Sequence, residues 1–267
     1  MCRLCNGIVE SDSEQVLTVC RNVTEIPVLN GITRLVVRGN ENVTEIPVIP
    51  GLLSIQITKC PNIKKIPLIS TMYTLILTDC NVENIPPFPA LRELYCSDCH
   101  RLKEIPVMEN VRDFLCVNYN FKLPFFPNLD RLALSNVGEQ EIGPYTKLSY
   151  LSVHTAKITK FSSIESLLTL DLRCVNIKTL PNLPSLFCLD VDCLASLENI
   201  PESLRILGFC GMKNLTIPAL PHLERLLCSN CTVENIPFMP SLKKIELFFC
   251  NKDVNIPFVI GQQIVVK

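Results

Sequence analysis

LRELYCSDCHRLKEIP occupies residues 91–106, and LERLLCSNCTVENIP recurs at residues 223–237. Both open on an apolar residue (Leu91, Leu223). Apolar positions follow three and five residues on (Leu94 and Cys96, Leu226 and Cys228), then a second cysteine, and both close on Ile-Pro. The same phrase starts at Ile32, Leu52, Met72, Val111, Leu129, Leu148, Leu167, Leu186, Leu204 and Leu242, with a spacing of 18 to 20 residues. A degenerate copy precedes them (Leu17, Cys20, Val23, Ile26-Pro27), and a last strand is expected over Gln262–Val266. An internal period of this length signifies a solenoid.

Leu35 and Val37, Ile55 and Ile57, Leu132 and Leu134, and Leu170 and Leu172 alternate with period two. Such a short alternating run is a strand with one buried side. A repeat this short has no room for a strand, a full helix and two connections. Ile-Pro or Leu-Pro ends most copies, at Pro47, Pro67, Pro86, Pro124, Pro181, Pro201, Pro218 and Pro257. Proline fixes φ near −65° and drives its predecessor toward extended backbone. A second proline often follows, at Pro50, Pro89, Pro127, Pro184, Pro221 and Pro240. The return path is therefore expected to be extended or polyproline-II-like. The copies holding Ile142-Gly143-Pro144 and Phe161-Ser162 lack the dipeptide, and a different return face is expected there.

The pattern resembles the leucine-rich repeat, LxxLxLxxN/C, over most of the chain. Its short proline-bearing form is similar to the repeats of YopM-like and IpaH-like bacterial effectors and of large DNA virus proteins. The resemblance implies a β-rich solenoid, a horseshoe with a parallel concave sheet and an extended convex side. The expected organisation is an N-terminal cap over residues 1–19 and a repeat domain over 20–267, with about 12–13 repeats. Two features depart from those effectors. The asparagine position is asparagine at Asn40 and more often cysteine, and no ligase domain of the IpaH type follows.

Composition narrows the function. The chain has 267 residues, is 48% hydrophobic and carries a net charge of −1. A near-neutral surface argues against nucleic acid or an anionic membrane as partner. No apolar run is long enough to span a bilayer, and Met1–Glu14 lacks the pattern of a signal peptide. The fifteen cysteines are then read as reduced thiols in a cytoplasmic setting. The four N-x-Ser/Thr sequons, at Asn22, Asn42, Asn214 and Asn230, are read as by-products of the repeat.

Most cysteines fall on repeat positions. Cys20, Cys60, Cys80, Cys99, Cys231 and Cys250 take the Asn/Cys position, and Cys96, Cys116 and Cys228 take a strand core position. Cysteine suits both as a small, readily buried residue. The CxxC pairs Cys96/Cys99 and Cys228/Cys231 are thereby assigned to packing instead of zinc. Cys2 and Cys5, in CRLC, lie outside the repeats and are the remaining metal candidates. Ser135, His154 and Asp171 lie on neighbouring strands, but an open sheet offers no evident oxyanion hole or dry pocket. No catalytic motif is present, and neither an enzyme nor a cofactor is expected.

The remaining strand positions should face the concave surface. They include Arg34, Arg38, Gln56, Tyr95, Asp113, Leu115, Tyr150, His154, Asp171, Arg173, Asp190 and Asp192. They vary while the core positions stay constant, as expected of a solenoid that binds a protein partner on its sheet. Tyr95, Leu115 and Tyr150 are the expected apolar and aromatic anchors. The expected function is a non-enzymatic protein-binding scaffold, monomeric unless a sheet edge pairs two copies. The alternatives are a substrate-recognition subunit of a ubiquitin-ligase-type complex and a thiol or zinc protein built on CRLC.

Overall fold

The computed structural model describes residues 15–120, 122–193, 197–213, 215–251, 253–257, 261 and 263–267. Cys2, Cys5 and Asn214 lie outside the described residues. The chain divides into two compact units, Met1–Gly138 and Glu139–Lys267. The first holds β1 (Val16–Val19), β2 (Arg34–Arg38), β3 (Ser54–Thr58), β4 (Thr74–Thr78), β5 (Glu93–Ser97), β6 (Asp113–Tyr119) and most of β7 (Arg131–Ile142). The second holds β8 (Tyr150–Phe161), β9 (Thr169–Arg173), β10 (Cys188–Asp192), β11 (Ile206–Cys210), β12 (Arg225–Ser229), β13 (Lys244–Phe248) and β14 (Gln263–Val266). Within each unit the strands follow chain order and pair parallel with their chain neighbours. No helix occurs among the described residues. The fold is the expected β-solenoid of leucine-rich repeats. Strand β1 lies inside the stretch expected as a cap and pairs with β2.

Register places like on like. Leu35 pairs with Ile55, Ile55 with Leu75 and Leu75 with Leu94; further on, Leu170 pairs with Leu189 and Leu189 with Leu207. These side chains are fully buried and form continuous apolar columns. The apolar residues that open most Ile-Pro or Leu-Pro pairs add a second column on the return side, including Ile46, Ile66, Ile85, Ile105, Leu180 and Ile236. Each coil thus has a thin core between a strand and an extended return.

Two corners close each coil. The second prolines have a specific place in one of them. Ile49, Pro50, Gly51 and Leu52 form a turn closed by the Leu52 N–H on the Ile49 carbonyl, 3.3 Å. Gly51 has φ of 77°, which gives a type II turn with proline at its second position. Phe88–Leu91, Phe126–Leu129, Leu183–Leu186 and Leu220–Leu223 close with the same N–H to carbonyl bond around their own prolines, without the positive φ at the third residue. The other corner follows the strand and takes a left-handed residue: Gly39, Lys59, Asp79, Asp98, Asn118, Asn136, Thr155, Cys174, Cys193, Gly211, Asn230 and Phe249 have φ between 50° and 65°. The sequence signals this corner only in part: seven of its twelve residues are glycine, asparagine or aspartate, which adopt positive φ most readily, and five are not.

The inward position after that corner behaves as expected. Asn40 is fully buried; its amide donates to the Cys20 and Val23 carbonyls of the preceding coil, at 2.6 and 2.9 Å, and accepts from the Asn42 and Val43 N–H groups. Cysteine performs part of this work. The Cys60 thiol donates to Thr58 and Val37 carbonyls, and Cys231 to those of Ser229 and Phe209. Both thiols of each CxxC pair are buried core groups.

The two copies without a terminal Ile-Pro differ as expected, in a definite way. Strands β7 and β8 run 12 residues, straight through the left-handed corners at Asn136 and Thr155. The N–H groups that proline would remove remain available for pairing. Beyond the corner, Val137 and Ile142 on β7, and Ala156 and Ile158 on β8, are buried.

Candidate functional site

All twelve residues expected on the sheet face lie on strands at positions that alternate with the core. In the first unit, Gln56 Oε1 accepts from Nη2 of Arg34 and of Arg38, at 3.5 and 3.4 Å, so three expected residues form one cluster. Tyr95 pairs in register with Leu115 and with Ile76, and Leu115 with Ala133. These four are half-buried and make an apolar stripe across β4 to β7. Glu93, Asp113 and Arg131 border it. Asp113 lies 3.3 Å from Arg131. Burial pushes the Asp113 carboxyl above its usual range, with Arg131 opposing and Glu93 adding to the rise. Burial also raises the Tyr95 phenol.

The second unit presents charge instead. His154 Nε2 lies 2.9 Å from Asp171 Oδ2, and Arg173 Nε donates to Asp171 Oδ1 at 3.0 Å. Burial alone would raise the Asp171 carboxyl; the Arg173 and His154 hydrogen bonds outweigh it and hold it below the usual range. Asp190, its register partner, moves the opposite way: burial and then the Asp171 charge push it up. Next in register is Gly208, where a Cβ would fall 2.0 Å from Asp190 Oδ1. The missing side chain leaves a depression of about 330 Å³ lined by Asp171, Arg173, Asp190, Asp192, Cys210 and Leu227. The sequence places Gly208 on this face but does not single it out, although a glycine at a sheet-face position signals close approach. Further on, Arg225 and Lys244 both reach the buried Glu246, at 2.6 and 3.0 Å. Tyr150 is half-buried on β8, opposite Thr169.

The arrangement does not suit the catalytic sets the sequence raises. Ser152 neighbours His154, at 3.1 Å. Both Ser152 and Asp171 meet the same ring nitrogen, Nε2. A triad requires them on opposite nitrogens, so that the carboxylate orients the ring while the other nitrogen takes the serine proton. Here the carboxylate occupies the place the serine would need. The core thiols are also not activated: every resolved shift among them is upward. Burial pushes Cys116 up to about 12 and also raises Cys60, Cys96 and Cys228, while the Cys99 thiol followed by burial raises Cys80. A nucleophilic thiol needs the reverse. No group of three or more metal-ligating side chains assembles among the described residues.

No protein-family model matches the chain. Over 148 residues it is 29% identical to a "Probable disease resistance protein" of Arabidopsis thaliana; the match takes in 52% of this chain and 15% of that protein. Among solved structures, YopM from Yersinia enterocolitica WA-314 superimposes with a TM-score of 0.56 at 21% identity, over 91% of this chain and 61% of YopM. At that identity the likeness speaks for the fold. One parallel strand per coil, the repeated inward Asn/Cys position and the match to YopM make this chain a leucine-rich repeat protein in fold.

Proposed function

We propose that the chain is a non-enzymatic scaffold that binds a protein partner on the exposed face of its parallel strands. The observation that carries the reading is the half-buried stripe of Ile76, Tyr95 and Leu115 bordered by Glu93, Asp113 and Arg131. An apolar, aromatic centre with a charged rim is the anatomy of a protein interface. Open parallel sheets in solenoids supply such surfaces. The charged face of the second unit adds Asp171, Arg173, Asp190 and Asp192 as specificity-setting groups. A net charge of −1 and this carboxylate-rich face disfavour nucleic acid and anionic membranes. A reducing, cytoplasmic setting suits a chain whose cores contain so many free thiols.

The test is affinity capture from cells with the intact chain and two variants. Tyr95→Ala combined with Leu115→Ala removes the centre of the stripe. Val48→Ser alters the exposed return side and is the control. The scaffold reading expects a stoichiometric partner that the first variant loses and the control keeps. Capture unaffected by the first variant would refute this face as the site. Ligase subunits among the captured proteins would assign the chain as a substrate-recognition subunit. Stoichiometric zinc lost on replacing Cys2 and Cys5 would support the thiol-metal reading.

A further inference from the structure

Four described cysteines have no place in the apolar columns, and two of them stand together. Cys174 and Cys193 are exposed and occupy the left-handed corner of consecutive coils, with φ of 50° and 56°. They follow directly on the register partners Arg173 and Asp192. The Cys174 N–H bonds to the Asp192 carbonyl at 3.1 Å, which ties the two corners together. Neighbouring parallel strands lie about 4.8 Å apart, within the range of roughly 4.4–6.8 Å between Cα atoms that a disulfide spans. In the following coil the corner residue is Gly211, where a Cβ would come within 3.3 Å of the Cys193 sulfur. The missing side chain leaves that thiol room to turn.

The chain contains its own control. Cys80 and Cys99 also lie on consecutive coils, with sulfurs 3.5 Å apart, but both are buried in the core. Separation alone would permit oxidation of either pair; access separates them.

We propose that Cys174 and Cys193 form a reversible redox-modification site that takes a low-molecular-weight disulfide, of which glutathione disulfide is the example, and closes to an intrachain disulfide. The thiolate of one cysteine attacks a sulfur of glutathione disulfide, forms a mixed disulfide and releases one glutathione thiolate. The thiolate of the second attacks the protein sulfur of that mixed disulfide and releases the second glutathione. Two protein thiols are oxidised, one glutathione disulfide is reduced to two glutathiones, and the two thiol protons end on the glutathiones. The bond would clip β9 to β10 beside Asp171, Arg173 and Asp192.

The experiment exposes the folded full chain to glutathione disulfide, traps remaining thiols by alkylation, and maps cross-links by non-reducing peptide mass spectrometry. The expected product joins Cys174 to Cys193 and is reversed by dithiothreitol, while Cys80 and Cys99 stay reduced. In Cys174→Ser the cross-link is lost and a glutathione adduct persists on Cys193. Cys188→Ser and Cys210→Ser keep the cross-link, which identifies the partner cysteine. Separate glutathione adducts on Cys174 and Cys193 with no bond between them would overturn the proposal. So would oxidation of Cys80 and Cys99 first, or no reaction at Cys174 and Cys193.

Discussion

The two units use one backbone recipe and put different chemistry at equivalent places. At the corner after the strand, the first unit stacks Asp98, Asn118 and Asn136, whose side chains bond to one another in a ladder. The second places Cys174 and Cys193 there, exposed. On the sheet face, the first offers an apolar stripe through Tyr95 and Leu115, and the second a charged depression around Asp171 and Asp190. After the Ile-Pro, the first exposes Val28, Val48, Leu68 and Val107, where the second has Asn182, Glu202 and Ala219 but also exposes Phe238. A solenoid fixes its columns and leaves the positions between them free, so each region can carry its own surface without cost to the fold.

The largest effects should come from what the units share. Leu132→Ala in the first and Leu170→Ala in the second each remove a side chain from a continuous column. Each should cost about 2–5 kcal/mol by denaturant unfolding. A negligible loss at either would contradict the register, and a large disparity would mean that the columns are not equivalent.

Next is the inward position. Asn40→Ala strips partners from two carbonyls and two N–H groups at a buried site. It should cost about 1–3 kcal/mol or more. Cys231→Ala in the second unit removes only weak thiol donors and should cost less. Equal losses would mean that the amide's bonds add nothing beyond its volume.

The corners should respond in the opposite sense. Thr155 is β-branched, exposed and held at φ of 50°, a conformation that disfavours such residues. Thr155→Gly should raise stability by up to about 1 kcal/mol, read as a higher Tm. A lower Tm would show that the threonine makes contacts worth more than its strain.

The finest distinction lies within the charged face of the second unit. Asp190 has a raised carboxyl, so ionising it costs the folded state more than the unfolded chain. Its contribution to stability therefore falls as pH rises from near the unfolded value of about 4 through the higher folded value. Asp190→Asn should raise Tm at pH 7, and the gain should vanish well below pH 4. Asp171 is depressed, so its contribution is present above about pH 4 and is lost as pH falls through the lower folded value. Asp171→Asn should lower Tm at pH 7, and that loss should fade in acid. Shifts of the same sign for both variants at pH 7 would break this assignment.

Much of the architecture was legible because the chemistry repeats. Alternating Leu35 and Val37, or Leu170 and Leu172, can only be a one-sided strand, and their spacing sets the coil length. The prolines excluded a helical return. The inward cysteines were legible for the same reason, as members of a column. The left-handed corner was legible only in part: it is filled by lysine, threonine, cysteine and phenylalanine as well as glycine, asparagine and aspartate, and the constraint acts on the backbone. The meeting of Ser152 and Asp171 on one ring nitrogen of His154 was not legible, because it depends on strand register.

By itself, the sequence determined the repeat, the strand faces and which side chains are buried, since periodic burial of apolar groups is written residue by residue. Tertiary structure decided what the remaining residues do, because their neighbours lie a whole coil away along the chain. Only stacking makes Asp171 a low-pKa carboxylate and Asp190 a high one, opens the depression at Gly208, and leaves one thiol pair in the core and the other at the surface.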